Sequence, residues 1–194
     1  LRLRQVCCHP GLLPDEQGAN ITSGKSELLF ELLDETIDSG HKVLLFSQFT
    51  SFLQSLFPLL DEHGINYEYL DGTTTHRQKH VDNFNKNPDL MLFLLSIKAG
   101  GTGLNLTSAD RVIIYDPWWN PAVEEQASDR AHRIGQQKNV HIIRLLTKGT
   151  IEEKIFRMQQ KKQDLFHAVI EAGETFLNKL TQEEITELFA DPEI

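Results

Sequence analysis

Short apolar runs alternate with segments of helical spacing along this chain, which predicts an α/β protein built on a parallel sheet flanked by helices. Three observations carry that expectation. Residues 42–47, Lys-Val-Leu-Leu-Phe-Ser, are almost wholly apolar, as in a strand covered on both faces. Residues 49–63 instead place Phe52, Leu53, Leu56, Phe57 and Leu60 at helical spacing, with Gly64 to close them. The same exchange of periods then recurs down the chain, as expected where helices connect parallel strands.

Taken in order, residues 15–24 are polar, with two glycines and an asparagine, and read as a linker. Ser23 is expected to cap the helix that follows, with Ser26-Glu27 completing a near-capping-box arrangement. Strand 42–47 and helix 49–63 lead to a second strand at 67–70, stopped by Asp71-Gly72. A helix over about 77–85 ends near Pro88, and strands follow at 90–95, 111–115 and 141–146. Residues 150–170 form a long amphipathic helix opened by the capping box Thr150-Ile151-Glu152-Glu153. A last capped helix begins near Thr181 and carries Ile185, Leu188 and Phe189.

Composition narrows the class. The 194 residues are 40% hydrophobic and 24% charged, ordinary for a globular protein and enough for one buried domain with an appendage. No run approaches a membrane-spanning length, and the start resembles no signal peptide. The only cysteines are the neighbours Cys7 and Cys8, which point to a reducing compartment. Cys7-Cys8-His9 is too tight and too short of ligands for zinc, so no metal site is expected. Overall, 28 acidic residues outweigh 19 basic ones, yet residues 126–162 hold nine basic against three acidic. Such segregation suits one basic face toward nucleic acid, and equally an ordinary solvated helix.

Chemistry concentrates in residues 126–136, Gln-Ala-Ser-Asp-Arg-Ala-His-Arg-Ile-Gly-Gln. On a helix ended by Gly135, Gln126, Arg130 and Arg133 share one face. Two guanidiniums aimed together suit the spread charge of a transferring phosphoryl group. A phosphate cradle to match is missing. Ser23-Gly24-Lys25-Ser26 resembles the tail of a phosphate loop, but Ala19 stands where its other glycine is required. The Gly-rich segment 96–106 follows a strand at its carboxyl end, where open α/β sheets bind ligands.

Together with Asp116-Pro117-Trp118-Trp119-Asn120-Pro121, these strings closely resemble the Swi/Snf-type DNA translocases of helicase superfamily 2. The resemblance covers roughly residues 1–170 and is most specific over 96–136. It implies the second, C-terminal RecA-like lobe of such an enzyme, with residues 1–24 a remnant of a helical protrusion and linker, 25–149 the lobe, and 150–194 helices packing on it. Arg130 and Arg133 would be the catalytic arginine fingers, and Gln126, Gly103 and Asn105 would border ATP. Ser47, Gln48, Lys98, Gly101 and Thr102 would contact the DNA backbone, and Trp119 its minor groove. Trp118 is expected to be buried, and Arg77 receives no role.

The resemblance implies ATP with Mg2+ as cofactor, the metal's ligands lying on a missing N-terminal lobe. Partners would be that lobe, duplex DNA and a DNA-bound protein, with no membrane involved, and the chain alone would be inactive. Its place would be the cytoplasm and nucleoid of a prokaryote, toward which compact motif spacing points, or a eukaryotic nucleus. A strand-separating DNA or RNA helicase and a non-catalytic DNA-binding scaffold are the alternatives.

Overall fold

The computed structural model describes residues 1–13, 23–100, 103–118, 120–132, 136 and 138–172, with backbone only at 100, 128, 163 and 165–172. Five strands, β1 (Val43–Ser47), β2 (Tyr67–Leu70), β3 (Leu92–Ser96), β4 (Arg111–Ile114) and β5 (His141–Arg144), form one parallel sheet in the order β2-β3-β1-β4-β5. The expected class is therefore the observed one. β1 and β3 are buried at every position, as their unbroken apolar runs require. β5, at one edge, is largely exposed.

Eight helices accompany the strands among the described residues. They are α1 (Arg2–Cys8), α2 (Gly24–Asp38), α3 (Thr50–Ser55), α4 (Phe57–Glu62), α5 (Arg77–Lys86), α6 (Ile97–Gly100), α7 (Pro121–Ser128) and α8 (Ile151–Ala172). Side-chain alternation along the strands makes two cores. Leu44, Phe46, Phe93, Leu95, Val112 and Ile114 pack with Val81 and Phe84 of α5 and Ala127 of α7. Val43, Leu45, Leu92, Leu94, Ile113 and Tyr115 meet Leu29 and Leu33 of α2, Phe52 and Leu60 beyond them, and Cys8 of α1. Each fully buried Leu or Phe stabilises by about 1.5–3 kcal/mol.

Three local expectations need correction. The single helix over 49–63 is two helices, broken at Leu56. Pro58 is the cause, since it has no N–H to donate to Gln54 and its ring crowds that carbonyl. Ser23 does occupy the N-cap of α2 but makes no side-chain cap bond, and the Ser26 hydroxyl lies 3.0 Å from that of Tyr115. At α8 the Thr150 hydroxyl accepts from the Glu152 N–H at 3.2 Å, while Glu153 accepts from Gly149, one residue before the expected partner. The linker over 15–22 and the helix near Thr181 lie outside the described residues.

Candidate nucleotide and DNA interface

Register brings the functional loops to one edge. Ser47 of β1 pairs with Ser96 of β3, Phe46 with Ile114 of β4, and Leu95 with Leu70 of β2. The segments starting at Gln48, Asp71, Ile97 and Tyr115 therefore all leave the sheet at its carboxyl edge, where such sheets bind ligands.

Asp116 organises that edge. It is buried, and its carboxylate accepts from the Ser47 hydroxyl and from the Gln48 N–H at 3.2 and 3.3 Å. Ser47 is wholly buried and also accepts from the Phe49 N–H, so its hydroxyl faces inward; Gln48 is half-buried above it. Burial pushes the Asp116 carboxyl up to about 6, against the opposing pull of Ser47, Gln48 and the Lys25 charge. The folded chain thus holds this proton more tightly than the unfolded one. That contribution to stability is complete below about pH 4 and is lost as pH rises through about 6. Thermal melts across that range are expected to show the decline, and Asp116→Asn to flatten it; an unchanged slope in the variant would remove Asp116 as its source.

Asp71 shows the opposite balance after β2. Burial alone would raise its carboxyl, but hydrogen bonds from Thr73, Tyr69 and Thr74 outweigh burial and hold it at about 2. Arg77 closes the turn by donating to the Gly72 carbonyl at 3.0 Å and the Thr74 carbonyl at 3.3 Å. His76 enters α5 with a φ of 52°, a left-handed conformation uncommon outside glycine.

The arginine string departs from its expected form. α7 ends at Ser128, so the helix does not run on to Gly135, and Arg130 stands in the turn beyond it. Tertiary bonds claim the carbonyls a longer helix would need. Leu106 N–H donates to the Arg130 carbonyl at 3.0 Å, and the Gln136 amide donates to the Ala131 carbonyl at 3.2 Å. Gln136 also donates to the carbonyls of Thr107 and Ala109, which ties the turn to the segment after the Gly-rich loop. Arg130 is 4% exposed and its Nε donates to the Gln126 carbonyl at 3.0 Å. Arg130 thus reaches back to the Gln126 backbone. Lys98, Gly103, Asn105 and the Gln126 side chain are exposed nearby. Gly101, Thr102, Trp119 and Arg133 lie outside the described residues.

Ser23-Gly24-Lys25-Ser26 opens α2, and Lys25 is an internal ion-pair partner. Its Nζ lies 2.7 Å from both oxygens of Glu152, with the two side chains 6% and 2% exposed. Trp118, expected to be buried, is half-buried: the Arg4 guanidinium of α1 lies 5.5 Å from its ring centroid, and the ring also packs against the core. Three residues to which the sequence reading gave no role hold this loop. Glu124 accepts from the Trp118 N–H at 2.7 Å and from Arg144 at 3.0 Å, Gln159 of α8 donates to the Trp118 carbonyl, and Arg4 donates to the Pro117 carbonyl at 2.7 Å. Only Glu124 had a visible signal, an acid in the first turn of a helix opened by Asn120-Pro121.

Among the described residues no helix is long and apolar enough to cross a membrane, and no group of three His, Cys, Asp or Glu side chains is placed to hold a metal.

Comparison with known proteins gives a consistent picture. Residues 24–135 match the helicase conserved C-terminal domain. The chain is 40% identical over 191 residues to an uncharacterized ATP-dependent helicase of Mycoplasma pneumoniae, covering 97% of this chain and 18% of that protein. It is 50% identical over 153 residues to the protein CHROMATIN REMODELING 19 of Arabidopsis thaliana, covering 78% of this chain and 20% of that one. Among solved structures it resembles the Sulfolobus solfataricus SWI2/SNF2 ATPase core in complex with dsDNA, with a TM-score of 0.70, 35% identity, and coverage of 96% of this chain and 40% of that one. The chain thus spans about a fifth of the length of these curated relatives.

Proposed function

This chain belongs to the helicase conserved C-terminal domain family, as the C-terminal RecA-like lobe of a Swi/Snf-type superfamily 2 ATPase, and on that premise we propose that it completes an ATP site and grips the DNA backbone in an enzyme that moves along duplex DNA. The observation that carries this reading is the convergence at one sheet edge. The segments after β1, β3 and β4 leave the sheet side by side, and the Arg130 turn is bonded to the continuation of the Gly-rich loop.

In this reading the chain supplies one side of a nucleotide site. Arg130 and Arg133 would meet the phosphates, with Gln126, Gly103 and Asn105 bordering the nucleotide. Lys25, paired with Glu152, is not available to cradle phosphate. ATP with Mg2+ supplies the phosphoryl group that passes to water, a reaction in which positioning and charge stabilisation do most of the catalysis. The phosphate loop and the metal's ligands belong to the N-terminal lobe, so this chain alone is expected to turn over no ATP. Gln48, Lys98, Gly101, Thr102 and Trp119 would follow the DNA, with Ser47, expected at the backbone but buried with its hydroxyl on Asp116, shaping the loop from beneath, and hinge closure between lobes would advance it. The relative solved with dsDNA supports duplex DNA as the track. A DNA-bound protein would be the load.

In the complete enzyme, duplex DNA is expected to raise ATP turnover, and the third strand of a DNA triplex to be displaced without opening of the duplex. Lys98→Ala is expected to weaken binding alike on unrelated sequences and to lessen the salt dependence by about one phosphate contact. Strand separation without triplex displacement would identify a true helicase, and strong preference for one base sequence a different class of protein.

A further inference from the structure

The Trp118 peptide is held at both ends by side chains from two helices. Its N–H donates to Glu124 Oε1 at 2.7 Å, and its carbonyl accepts from Gln159 Nε2. The same Gln159 nitrogen donates to Glu124 Oε1 at 3.1 Å. Gln159 and Glu124 are 4% and 2% exposed. At this point a backbone carbonyl and a carboxylate, both acceptors, approach each other away from water. An amide nitrogen with two hydrogens is the group that satisfies both; without it, two buried acceptors would face one another.

Glu124 stands in the first turn of α7, and the turn beyond that helix carries Arg130. Its other oxygen accepts from Arg144 at the end of β5. α7 thus presents one end to the loop that continues into Trp119 and the other to the arginine turn. Gln159 locks the loop to that helix from α8, and Arg4 holds it from α1.

We propose that Gln159 is a positioning residue that locks the Pro117–Trp118 loop to α7, so that the DNA-contacting loop and the Arg130 turn move as one body when the enzyme closes on ATP. The role rests on the translocase reading above. Its signature is the number of ATP molecules consumed per displacement event, which a merely stabilising bond would not change.

The test uses the complete enzyme, with DNA-stimulated ATP turnover and triplex displacement measured together. Gln159→Met keeps the length and removes the donor. It is expected to lower displacement about tenfold while turnover falls less than about twofold, a change equivalent to loss of one buried hydrogen bond to a charged group. Gln159→Lys, which restores a donor at similar reach, is expected to recover most of the coupling. Should Gln159→Met fail to fold, Arg4→Leu acts on the same loop from its outer side and is expected to raise ATP consumed per event. Turnover and displacement falling in proportion, or neither changing, would overturn the positioning role while leaving the translocase reading intact. An unmodified enzyme that hydrolyses ATP but displaces no triplex strand would overturn both.

Discussion

Arg130→Ala in the complete enzyme is expected to lower ATP turnover by about a thousandfold, the scale of an arginine finger. The geometry explains why the loss should be catalytic more than structural. Arg130 Nε donates to the Gln126 carbonyl, which orients the plane of the guanidinium. Losing that bond costs about 1 kcal/mol of stability. Losing a thousandfold in rate corresponds to about 4 kcal/mol of transition-state stabilisation. The two effects are separable by melting the variant at the concentration used for kinetics. Arg130→Lys keeps the charge but not the planar fork, so it is expected to rescue little. Arg133→Ala should act on the same scale, and DNA affinity should change little in either variant. Near-normal hydrolysis by Arg130→Ala, with a lowered melting temperature, would make Arg130 a bolt at the end of α7 and nothing more.

Lys25→Ala is expected to destabilise the fold by about 3–5 kcal/mol, because it leaves Glu152 buried without its cation. The Thr147 N–H still donates to Glu152 at 2.8 Å, which compensates only in part. A double variant, Lys25→Met with Glu152→Gln, keeps an acceptor for Thr147 and removes both charges, and should regain most of the loss. Denaturant unfolding measures both. The pair also decides between two meanings of Ser23-Gly24-Lys25-Ser26. A phosphate-binding lysine would show itself through ATP affinity with stability unchanged, and that result would make Lys25 a phosphate ligand instead of an ion-pair partner.

The parts of the fold legible in the sequence are those set by local pattern. β1 and β3 announce themselves because a strand covered on both faces has no polar alternation to blur it. The break in 49–63 was hidden by the apolar spacing that runs across it, although Pro58 lies within that run and its missing N–H splits it into α3 and α4. The end of α7 was not visible. Three- and four-residue spacing favours a helix through Arg133, but the chain turns after Ser128, and the carbonyls of Arg130 and Ala131 bond Leu106 and Gln136 instead. The site divides in the same way. Its loops could be placed because strand ends order them along one edge. Ser47's inward hydroxyl and the Gln159–Trp118 bond depend on partners 69 and 41 residues away, and no local spacing encodes such pairs.

The strand order has a consequence for how the chain reaches this state on the ribosome. β1 lies at the centre of the sheet yet precedes both its neighbours, β3 and β4, in the chain. Until they emerge, Val-Leu-Leu-Phe has no ladder on either side, and the flanking α2 and α3 can cover one of its faces but not the other and not its edges. Non-local pairing of this kind is slow to form and leaves strand edges open to other chains in the interval. Growth of the nascent chain from β1 to β4 is therefore the interval in which the centre of this sheet stands open to aggregation, and one in which a chaperone would find a strand to bind.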